Sequence, residues 1–135
     1  MHLTPSDPNI ETLVKRIANG LYNLQPDFQR GEVWGLQKKQ KLIDTILRDW
    51  HIPPIHIIRD ESTGTSDVLD GQQRLVAIRD FVRGDFSING GQPPYDPKIS
   101  NLDGHFYDEL PTRVKSQFDD YSIRTFILTD YSPEE

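Results

Sequence analysis

Val68-Leu69-Asp70-Gly71-Gln72-Gln73-Arg74-Leu75 is the stretch that decides the fold class. Val68-Leu69 reads as a strand, and Asp70-Gly71 breaks it sharply. From Gln72 to Arg83 the apolar residues Leu75, Ile78, Phe81 and Val82 recur at helical spacing, with Gly84 as the cap. A strand that becomes a helix across one glycine calls for a sheet and helices in the same chain.

Upstream, Ile55-His56-Ile57-Ile58 is a compact apolar strand and Glu61 to Ser66 a polar turn, so Val68-Leu69 is predicted to pair antiparallel with it. A helix is predicted after Gly35. Leu36, Ile43, Ile46, Leu47 and Trp50 share one face, while Lys38, Lys39, Lys41 and Arg48 populate the other, the three lysines as a solvated face, and Pro53-Pro54 is the stop. Asp7-Pro8 reads as N-cap and first helical position of an earlier helix carrying Ile10, Leu13, Val14, Ile17 and Ala18, with Gly20 as its C-terminal cap. Residues 21–30 are extended up to Pro26. Downstream come a loop at Asn89 to Pro94, a short helix from Pro111 to Asp120 with Val114 and Phe118 inward, and a strand from Ser122 to Leu128. The class is α+β, a short mixed sheet with packed helices.

The 135 residues suit a single domain, 1–135. The absence of cysteine excludes a disulfide framework, a thiolate nucleophile and any Cys-ligated metal. The net charge of −6 is uneven. Phe28 to Arg83 holds nine Lys/Arg against eight Asp/Glu, whereas Gly84 to Glu135 holds four against ten. Such a chain lacks the basic face that sequence-independent duplex binding needs, though the central block allows a local anion site. There is no signal-peptide pattern and no long apolar run, so a soluble, cytoplasmic protein without membrane association is expected. His2, His51, His56 and His105 show no metal-ligand spacing, and there is no complete Walker loop and no HExxH.

The chemistry therefore concentrates at the Asp70–Arg74 turn. Gly71 admits backbone conformations closed to other residues, and the helix behind it opens with unpaired N–H groups and a positive dipole end. Arg74 adds a planar fork for phosphate oxygens; Gln72 and Gln73 are donors for phosphate, ribose or base; Asp70 suits a cation or a hydroxyl. The plainer reading stands beside this one: Asp70 caps the helix and Arg74 pairs with it. A second loop, Gln25 to Arg30, adds Gln29 and Arg30, which either converge on the same polyanion or leave Arg30 as a surface partner of Glu32. Trp34 suits base stacking or packing against a helix.

These segments carry a family resemblance. Leu24-Gln25-Pro26-Asp27-Phe28-Gln29-Arg30-Gly31-Glu32-Val33-Trp34, Leu42 to Leu47 with Ile52-Pro53-Pro54-Ile55, Asp70-Gly71-Gln72-Gln73-Arg74-Leu75 and Phe106 to Pro111 resemble, in order, the GmrSD-type restriction endonuclease N-terminal domain with its DGQQR motif. The layout is similar, more remotely, to the ParB N-terminal nucleotide-binding domain of the ParB/sulfiredoxin-like superfamily. There a turn at the position of Gly71 to Arg74 forms part of a triphosphate pocket, and Gln29-Arg30 match an upstream arginine loop. Gln72-Gln73 stand in place of a Glu-Arg pair, one acid and one base fewer.

The resemblance implies a ParB-like α+β domain that binds or hydrolyses a nucleoside triphosphate with Mg²⁺, with slow turnover or none in isolation, in defence against foreign or modified DNA. Gln29, Arg30, Asp70, Gly71, Gln72, Gln73 and Arg74 are the expected phosphate-binding residues, with Asp70 as the catalytic or Mg²⁺-orienting candidate and Trp34 as a stacking residue. DNA cleavage in this family belongs to a separate HNH-type nuclease domain, of which the sequence carries no segment. The chain is thus expected to be a fragment or minimal form of a longer architecture, reaching DNA through a partner or nuclease domain. The alternatives are a DNA-modification sensor that reads bases with its Gln and Arg residues, and a protein-interaction regulator.

Overall fold

The computed structural model describes residues 2–24 and 33–129. The chain divides into two compact units, one built from the described residues of 2–24, 53–72 and 122–129, the other from 33–52 and 73–121. The expected α+β class holds, with a mixed sheet of five strands among the described residues.

The first unit contains the sheet. Its strands are β1 (His2–Ser6), β2 (Tyr22–Asn23), β3 (Ile55–Asp60), β4 (Thr65–Asp70) and β5 (Thr125–Thr129), in the order β1-β5-β3-β4-β2. β3 and β4 form the expected antiparallel hairpin, while β5 runs parallel to β3 and β2 parallel to β4. Ile55, Ile57 and Val68 are fully buried, as period-two strands with one covered face require. Helix α1 (Ile10–Ala18) buries Ile10 and Leu13. Its cap corrects the sequence reading. Asn9, not Asp7, sits at the N-cap and its side chain accepts from the Thr12 N–H at 2.9 Å. Asp7 instead accepts from Arg124 Nε at 2.7 Å, and the Pro8 carbonyl accepts from the Ile123 N–H. Both are partners from the far end of the chain, which local spacing does not announce. β1 was not foreseen either, because its residues are exposed at the sheet edge and show no apolar alternation.

The second unit is helical: α2 (Leu36–Leu47), the body of α3 (Gln72–Arg83), α4 (Pro97–Ser100) and α5 (Thr112–Asp120). α3 has the bounds expected of it, with Leu75, Ile78 and Phe81 fully buried and Val82 half-buried. Phe81 is the centre of an aromatic group, 5.3 Å from Phe118, 5.6 Å from Phe86 and 6.0 Å from Tyr107 between ring centroids. α2 ends at Leu47 rather than at Pro53, because Asp49 takes a positive φ of 58° and turns the chain. Trp50 lies exposed beyond that turn, and Leu36, the first residue of α2, is exposed as well, so neither shares the buried face of Ile43 and Ile46. Lys39 is not a solvated residue. It pairs at 2.9 Å with Asp80, a buried carboxylate that Arg79 and Arg83 also hold. Arg48 is likewise buried, bonding Asp44 at 2.9 Å and the carbonyls of Pro94 and Gln92 at 2.8 and 3.0 Å.

Candidate functional site

β4 delivers Asp70 to the end of the sheet, Gly71 turns the chain, and α3 begins at once with Gln72. Gly71 is buried and has a φ of +99°, a region that L side chains avoid, so glycine is required for so abrupt a strand-to-helix passage. The first turn of a twelve-residue helix thus begins directly at the strand end, where its N–H groups lack intrahelical carbonyls. Arg74 is half-buried in that first turn, a cation beside the positive end of the helix dipole. The combination favours anions.

The two glutamines are held by the chain itself. Gln72 Nε2 donates back to the Val68 and Leu69 carbonyls of β4 at 2.9 and 3.2 Å, bracing the turn. Gln73 Oε1 accepts from the Trp34 N–H at 3.0 Å, so one motif residue fixes the backbone of another. Trp34 itself is half-buried. Gln29 and Arg30 lie outside the described residues.

Asp70 is exposed and faces His56, whose Nδ1 lies 3.6 Å from Asp70 Oδ2. The His56 ring stacks on Phe126 at 5.3 Å, so Phe126, His56 and Asp70 form a row across β5, β3 and β4. Sequence reasoning weighed His56 only for metal-ligand spacing and did not place it beside Asp70. The hairpin itself was the available signal, but a bulge between His56 and Ile57 shifts the register that simple counting would use. Among the described residues no three His, Asp or Glu side chains gather to hold a metal ion. One carboxylate at the turn suits a hard cation that brings most of its oxygens from phosphate and water. No helix among the described residues is long and apolar enough to cross a membrane.

No curated protein and no solved structure matches the chain. A protein-family comparison does match it, over residues 10–133, to the GmrSD restriction endonuclease, N-terminal domain. That span contains the turn, the hairpin that carries His56, and every helix of both units, and on it the chain belongs to the GmrSD restriction endonuclease N-terminal domain family.

Proposed function

We propose that this chain is the nucleotide-binding domain of a system that restricts foreign or modified DNA, with the Asp70–Arg74 turn as its phosphate site. The observation that supports this reading is the passage from β4 through Gly71, at φ +99°, straight into the first turn of α3. In it the N–H groups of Gly71, Gln72 and Gln73 hold phosphate oxygens, and Arg74 neutralises their charge, joined by Gln29 and Arg30. Mg²⁺ bound with the triphosphate, next to Asp70, would supply further charge neutralisation. Any hydrolysis here is positioning and electrostatics acting on water, and turnover by the isolated chain is slow or absent. Because Gln72 and Gln73 spend amide groups on the chain's own backbone, phosphate binding is favoured over base-edge reading.

The test is calorimetric titration of the full chain with ATP, GTP, CTP and UTP plus Mg²⁺, alongside Arg74→Ala. Charge-assisted hydrogen bonds contribute about 1.5–3 kcal/mol, so the variant should bind its nucleotide roughly 10- to 100-fold more weakly while unfolding in the same cooperative way. No heat from any of the four with wild-type chain would overturn the reading.

A further inference from the structure

The helical unit carries a second feature that the nucleotide site does not use. An open groove of about 440 Å³ runs between the end of α2, the α4 segment and the start of α5. Leu47, Ile99, Leu102 and Val114 supply its apolar lining, and Lys98 and Arg113 its charges. Among the described residues no Asp or Glu lines it, although the chain has 21 acidic residues against 15 basic ones. Lys98 and Arg113 are both exposed, and among the described residues neither side chain has an acidic partner. The groove wall also contains the beginning of α5, where Pro111 at the N-cap provides no side-chain hydrogen bond and the first turn carries no acid. The electrostatics of the wall therefore add to those of the two cations.

We infer that this groove docks an acidic amphipathic helix of a partner protein, with aliphatic side chains seated on Ile99, Leu102 and Val114 and carboxylates meeting Lys98 and Arg113. A groove this open cannot enclose a small molecule on most sides, as small-ligand sites do, but it matches the way an amphipathic helix lays its apolar face into a shallow hydrophobic channel. The charge pattern selects the sign of the partner, because like charges opposed across an interface are penalised. The inference stands apart from the nucleotide reading, since no residue of the Asp70–Arg74 turn lines the groove.

The probe is a labelled 15-residue peptide with Leu at helical spacing and Glu on the flanking positions, compared with a twin carrying Lys in place of Glu. Anisotropy with the full chain should show the Glu peptide binding at least about tenfold more tightly than its twin, by a margin that shrinks as salt is added. Amide shifts should concentrate at Leu47, Ile99, Leu102 and Val114. Lys98→Glu combined with Arg113→Glu alters only exposed side chains, and it should reverse the preference while the thermal transition stays in place. Equal binding of the two peptides, no binding of either, or shifts centred on other residues would overturn the proposal.

Discussion

His56 Nδ1 stands 3.6 Å from Asp70 Oδ2 because a bulge slips the β3–β4 register by one residue. Ile57 lies opposite Val68, and unbroken pairing would put His56 opposite Leu69; instead it meets Asp70. The carboxylate at the motif is thereby placed in the row of the imidazole and Phe126. The side chains of the pair are 41% and 66% exposed, so its attraction is largely screened.

Asp70→Asn should therefore change folding stability by no more than about 1 kcal/mol, while Mg²⁺-dependent nucleotide binding is lost. Urea denaturation and calorimetry on the same preparation separate the two effects. A loss of stability well beyond that figure would mean that Asp70 serves the fold.

Asp80 is a different case, being 6% exposed and held by Lys39, Arg79 and Arg83. Removing its charge leaves three cations crowded around a neutral amide. Asp80→Asn should cost about 3 kcal/mol in urea denaturation. Asp85→Asn, at an exposed carboxylate whose pKa the Arg83 hydrogen bond holds below the usual value, should have a far smaller effect.

How much of this was legible in the sequence depends on how local the cause was. α3 could be read to its ends because Gly71 and Gly84 bracket an uninterrupted amphipathic run. The hairpin was legible for the same reason. Lys39 was misread as solvated because its partner Asp80 lies on another helix, and Asp7 as a cap because its partner Arg124 comes from the other end of the chain. The motif residues of the turn stood out from the strand–glycine–helix pattern and again from the resemblance, but the roles of Gln72 as a brace on β4 and Gln73 as an anchor for Trp34 depend on hydrogen bonds that only folding creates.

Gly90 and Gly91 make a paired prediction. A Cβ at Gly90 would lie 2.8 Å from the Ile99 carbonyl oxygen and 3.0 Å from Asp103 Cα, both backbone atoms that cannot swing aside. At Gly91 the nearest atom, Asn89 Oδ1, is 3.5 Å away, an ordinary contact. Gly90→Ala should destabilise by about 1–3 kcal/mol, and Gly91→Ala by less than its neighbour, as thermal unfolding of the two will show.

Tyr121 sets an alkaline limit. Burial, reinforced by the Asp49 charge, raises its phenol above the ordinary value of 10.0, and its hydroxyl donates to the Trp50 carbonyl. The unfolded chain therefore loses this proton first, so the stability contribution is whole below the ordinary value and falls as pH rises through the folded one. As pH rises past the ordinary phenol value of 10.0 the urea midpoint should fall, and Tyr121→Phe should flatten part of that decline.

The position of β5 bears on how the protein is made. It lies between β1 and β3, yet it is the last of the described strands to leave the ribosome, and β1, whose one partner among the described strands is β5, is the first of them. Among the described strands, β1 must wait until Thr125–Thr129 has been made before it has a neighbour. A nascent chain stalled or cleaved ahead of Thr125 would thus lose an inner strand and an edge strand together, and would expose the open flank of β3 to other chains.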